Sequence, residues 1–103
     1  MKSNSWVTKT TDNLFESVLT IKNLAEARSF FRDLLTEEEI KEFANRWKVA
    51  QMLSAKVPYS KIEKQTGMST ATIARISMWL NKGMNGYKLI IDRISHHSLA
   101  SAG

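Results

Sequence analysis

Between Ser69 and Arg75 the order Ser-Thr-Ala-Thr-Ile-Ala-Arg sets hydroxyl, methyl and guanidinium groups within seven residues. These groups suit a DNA base edge. Threonine hydroxyls bond bases or phosphates, their methyls touch the thymine methyl, and an arginine grips guanine through two parallel bonds. Ser69, Thr70, Ala71, Thr72 and Arg75 are the candidate base-reading residues. Lys61 and Lys64 lie just upstream, and with Ser60, Lys56 and Lys82 they form the candidate phosphate contacts. Plain solvation of the lysines and a structural ion pair at Arg75 are the alternatives. Asn, Gln and further Arg are absent from this face, so direct readout is expected to be sparse, with selectivity leaning on water or DNA shape.

A helix-turn-helix over residues 59–81 would hold these groups, in the stretch YSKIEKQTGMSTATIARISMWLN. Ser60 with Glu63 reads as a capping box, which starts a short helix at Ser60 and ends it before Gly67. Gly67 supplies the left-handed residue of the turn. A second helix starts at Ser69 or Thr70 and runs to about Asn81, its amides able to meet a phosphate. Counting Gly67 as the ninth motif position puts Ile62, Met68, Ile73 and Ile76 at the inward positions four, ten, fifteen and eighteen. Glu63 departs from the pattern, because the fifth position usually carries a small side chain against the turn.

The remaining chain is also helical by spacing, with one proline and four glycines in 103 residues. Leu14, Phe15, Val18 and Leu19 recur at helix intervals behind a cap at Thr11 or Asp12. A second run spans Ala25 to Leu35, with Lys22-Asn23 as a weak break. Leu14, Val18, Phe30, Phe31, Leu34 and Leu35 serve either a dimer interface or packing within one chain. Thr36 with Glu39 is a capping box that opens a long helix to about Lys56, stopped by Val57-Pro58. After Gly83 and Gly86 a last helix is expected from Tyr87 to about His96, with Tyr87 packing on the turn. His96-His97 offers no metal site, since adjacent residues on a helix do not share a face. Residues 1–10 are expected to be flexible and 98–103 unstructured, around one domain over 11–97.

Charge divides the chain. Residues 1–39 hold five Lys/Arg against seven Asp/Glu, whereas residues 40–91 hold nine against only Glu42 and Glu63. A basic half of this kind suits a polyanion. There are no cysteines, which excludes disulfides and thiol chemistry. No apolar run spans a membrane and the start has no signal-peptide core, so a cytoplasmic protein is expected. Neither a nucleophile with its base nor a pair of carboxylates in a cleft is evident, and no enzyme is expected.

Over about residues 30–95 the chain resembles the Trp-repressor superfamily, through Leu35-Thr36, Asn45-Arg46 and above all Ala71-Thr72-Ile73-Ala74-Arg75. The stretch Asn81-Lys-Gly-Met-Asn-Gly-Tyr87-Lys-Leu-Ile-Ile is similar to the YerC/YecD-type branch rather than to the tryptophan-binding repressors. The resemblance implies an all-α fold of about six helices, two chains interlocked as a homodimer, and a twofold-symmetric site in double-stranded DNA. It also favours the interface reading of the phenylalanines and leucines. In the tryptophan-binding members two arginines and a threonine hold the ligand, and these match Arg46, Arg75 and Thr36. The glycine against which the indole lies is replaced by Ile76, and a nearby serine by Trp79. The resemblance thus implies that Ile76, with Trp79, occupies the ligand's space; the alternative is an ordinary core residue at the eighteenth motif position, and both exclude tryptophan. No cofactor, tryptophan included, is expected, and any small-molecule effector is unknown.

The expectation is a dimeric, sequence-specific transcriptional regulator, a repressor in kind, without tryptophan as co-repressor. The alternative is a helical protein-interaction module whose helix-turn-helix is scaffold.

Overall fold

The computed structural model describes residues 5–102 of the chain, with side chains through His96. Six helices account for all regular structure among them: α1 (Lys9–Val18), α2 (Leu24–Leu34), α3 (Glu37–Ser54), α4 (Tyr59–Thr66), α5 (Thr70–Lys82) and α6 (Gly86–Ala102). The all-α expectation is met. The chain divides into two compact units, Met1–Ile40 and Lys41–Gly103, with the boundary inside α3.

In the first unit, caps rather than core define the helices. Thr8, not Thr11 or Asp12, caps α1: its hydroxyl accepts from the Thr11 N–H at 3.1 Å, and the Thr11 hydroxyl accepts from the Thr8 N–H at 2.9 Å. A threonine at the third position reciprocates as Glu or Gln usually does, so the helix begins earlier than apolar spacing implied. Asn23, read as a weak break, is the cap of α2, accepting from the Glu26 N–H at 2.9 Å. Glu26 reaches back to the Lys22 N–H at 3.0 Å. Neither α1 nor α2 contains a buried residue. Phe30 and Phe31 meet edge to face at 5.6 Å. The Thr36 box is formed as expected, with Thr36 N–H to Glu39 Oε1 at 2.9 Å and Glu39 N–H to Thr36 Oγ1 at 3.1 Å.

The core lies in the second unit. Val49 and Ala50 of α3, Ile62 of α4, and Ile73 and Ile76 of α5 have no exposed surface. Met52, Leu53, Val57, Met68, Tyr87 and Ile91 pack around them. The Tyr87 ring stacks on Trp47 at 6.1 Å and 25°, tying α6 to α3. α3 ends at Ser54 in a Schellman turn. The Lys56 N–H donates to Leu53 O and the Val57 N–H to Met52 O, each at 3.0 Å. Lys56 takes φ 66° at the position where glycine is usual.

α4 starts at Tyr59 with Pro58 as its cap and no side-chain cap bond, so the expected Ser60–Glu63 box does not form. The glutamate is engaged across the turn instead. Gly67 takes φ 75°, as its place in the turn required. Thr66 locks that turn, donating to Ile62 O at 2.7 Å and accepting from the Met68 N–H at 3.2 Å. α6 continues through Ala102, past the expected end near His96 and into the stretch expected to be unstructured. Proline is absent from it, and glycine recurs only at residue 103, outside the described residues. Residues 1–4 of the expected flexible start are likewise outside them, and its last two residues already belong to α1.

Candidate nucleic-acid interface

Burial of Ile62, Ile73 and Ile76 between α4 and α5 turns the opposite face of α5 to water. Thr70, Ala71, Ala74 and Arg75 are exposed there and Thr72 is half-buried. Arg75 makes no ion pair among the described residues, whose three salt bridges lie elsewhere. Lys61 and Lys64 are exposed on α4, with Ser60 beside them, and Lys82 is exposed in the last turn of α5. Lys56 is exposed at the turn between α3 and α4. Apart from Glu63, no acid lies on α4 or α5.

Three of the candidate base readers, Ser69, Thr70 and Thr72, are partly committed inside the protein. Ser69 caps α5, its hydroxyl accepting from the Thr72 N–H at 3.2 Å and lying 3.0 Å from Thr72 Oγ1. Thr70 Oγ1 donates to Glu63 Oε2 at 2.6 Å. Sequence reasoning missed this second bond. Its signal was the lone acid of the helix-turn-helix, standing where a small residue is usual.

Helix order, turn geometry and inward positions thus agree on a helix-turn-helix carried by a longer preceding helix. Over residues 9–95 the sequence matches the family model described as Trp repressor protein. The chain belongs to the Trp repressor family. The family is one of regulatory DNA-binding proteins, not enzymes. The chain is 44% identical over 94 residues to the uncharacterized protein YerC of Bacillus subtilis (strain 168), covering 91% of this chain and 90% of the relative. The crystal structure of a TrpR-like protein from Eubacterium eligens superposes with a TM-score of 0.85 at 39% identity, covering 89% of this chain and 95% of that one. A candidate Trp repressor from Staphylococcus aureus gives 0.85 at 37% identity, with 92% and 95% covered. Among the described residues no helix is long and apolar enough to cross a membrane.

Of the expected effector residues, Arg46 and Trp79 line one cavity in the second unit. Thr36 belongs to the first unit and is engaged in its capping box. Arg75 faces water on α5. Ile76 is sealed in the core, with no exposed surface, among Val49, Ala50, Ile62 and Ile73. Trp79 does not join it there. It is 39% exposed and lines a cavity of about 670 Å³ with Arg46, Trp47, Met84, Tyr87 and Ile90. The different fates follow from what packs against each position: Ile76 shares the core with residues of α3 and α4, whereas Trp79, one turn further along α5, lines the cavity with residues of α3 and α6. Arg46 is held by Glu42 at 2.8 Å and lies 5.8 Å over the Phe43 ring. Gly83 closes the link: a Cβ there would come within 2.4 Å of Trp79 O. His96 contacts Asp92 through Nδ1, at 3.0 Å from its carbonyl oxygen, while the side chain of His97 lies outside the described residues.

Proposed function

We propose that the protein is a sequence-specific transcriptional repressor that reads double-stranded DNA as a homodimer, without tryptophan as co-repressor. One observation carries the DNA-reading part: the shared isoleucine core holds α5 with Thr70, Ala71 and Arg75 exposed and Thr72 half-exposed, while Lys61 and Lys64 are exposed on α4. Small residues at the start of α5 let its backbone approach the major groove closely, Arg75 supplies the two-pronged contact, and Lys61 and Lys64 fix the register on phosphates.

The homodimer is supported by the first unit. α1, its cap residue Leu19 and α2 carry Phe15, Leu19, Leu24 and Leu34 at 49%, 83%, 64% and 47% exposure. Leu14, Val18, Phe30, Phe31 and Leu35 are only half-buried. Apolar surface of this extent marks an association face. Independence from tryptophan is supported by Ile76, whose side chain lies where family members that bind tryptophan have a glycine.

Selection from a random duplex library at about 0.15 M salt, with no added ligand, tests the reading. A dimer enriches a palindrome whose half-sites lie about one helical turn apart. A scaffold enriches none and loses DNA uniformly as salt rises. Millimolar tryptophan that produced a saturable gain in affinity would overturn the ligand-independent part, and a monomer in sedimentation equilibrium the dimeric part.

A further inference from the structure

Glu63 sets a carboxylate in the basic half, on the helix whose lysines are to meet phosphates, and its cost in repulsion calls for a compensating role. The bond from Thr70 supplies one. A threonine hydroxyl has one proton to donate and lone pairs to accept with. With Thr70 Oγ1 2.6 Å from Glu63 Oε2, the hydroxyl proton is committed to the carboxylate. What Thr70 then offers from the exposed start of α5 is lone pairs alone.

We infer that Glu63 is a specificity-determining residue: by holding the Thr70 proton, it leaves the Thr70 hydroxyl at the start of α5 an acceptor only, which selects a base with an exocyclic amino group. In the major groove such groups are adenine N6 and cytosine N4, whereas guanine N7 and O6 and thymine O4 only accept. A free threonine would tolerate either kind. This rests on the DNA-reading proposal above and adds the class of base taken at one position.

The test is selection with the full chain and its variants Glu63→Ala, Thr70→Val and the double substitution, each checked for unchanged helix content. The wild-type protein enriches a half-site in which one position is confined to adenine or cytosine. Glu63→Ala releases the proton, and guanine or thymine enters that position with a gain on the order of fivefold, as one hydrogen bond allows. Thr70→Val, nearly isosteric, weakens the amino preference at the same position and at no other. In the Thr70→Val background, Glu63→Ala produces no further gain of guanine or thymine. A purely structural bond would change overall affinity and leave the base distribution alone. The inference is overturned if wild type and Glu63→Ala enrich the same bases at every position. It is overturned too if Thr70→Val leaves the preference intact, or if guanine enters equally in the Thr70→Val background. A wild-type protein that enriches nothing overturns DNA reading itself and takes this inference with it, so the two failures are distinct.

Discussion

The Thr70 hydroxyl and the Glu63 carboxylate, 2.6 Å apart, join the first turn of α5 to the middle of α4. The two helices of the motif are therefore held by a polar strut near the surface as well as by the isoleucines beneath it. A hydroxyl–carboxylate bond in partly exposed surroundings contributes about 0.5–1.5 kcal/mol. Thr70→Val and Glu63→Ala should each lower stability by about that much. Their double-mutant cycle, measured by urea unfolding, should show a coupling of about 0.5–1 kcal/mol. A coupling of zero would mean that the strut does not persist in solution.

Lys56 and Gly67 share a left-handed backbone, with φ 66° and 75°, yet only one is glycine. Substitutions at the two should have opposite signs. Lys56→Gly removes the steric conflict of a Cβ in that region and is expected to raise stability by roughly 0.5–1 kcal/mol, net of glycine's unfolded-state entropy. Gly67→Ala is expected to cost roughly 1–2 kcal/mol. Thermal midpoints of the two variants against wild type check both.

Ile76 belongs to a core built from three helices and has no exposed surface. Ile76→Ala should cost about 2–5 kcal/mol, and Ile76→Val about 0.5–1.5 kcal/mol. For a small domain the larger figure is a substantial part of the total. Titration of the wild-type protein with tryptophan should leave its DNA affinity unchanged, because restoring space at this position requires cutting into the core.

Lys61 and Lys64 are exposed and take part in none of the ion pairs among the described residues, so replacing them should leave the fold intact. If each meets a phosphate, the slope of log affinity against log salt should fall by about 0.9 for every lysine changed to alanine. The preferred sequence should stay the same. Arg75→Ala should do the reverse, relaxing choice at one base pair with little effect on the slope. Binding isotherms at several salt concentrations separate the two classes.

Helices were legible because their causes are local. The Thr36–Glu39 box, the left-handed glycine at residue 67 and the apolar intervals of Ile62, Ile73 and Ile76 depend on residues within a turn or two of one another. For the same reason the all-α class and the helix-turn-helix frame followed from the sequence alone. Errors at helix ends came from local rules with more than one solution: Thr8 and Thr11 could each have capped α1, and Ser60 and Pro58 could each have opened α4. What only the tertiary structure decided is where side chains go after the helices cross. Periodicity places Glu63 and Thr70 on their own helices but says nothing of their meeting. It puts Ile76 and Trp79 on neighbouring parts of one helix surface, yet α3 and α4 seal the first while the second lines an open cavity. Local hydrogen bonding and steric preference act within a few residues of chain, whereas burial and cross-helix partners depend on the angle and separation at which whole helices pack.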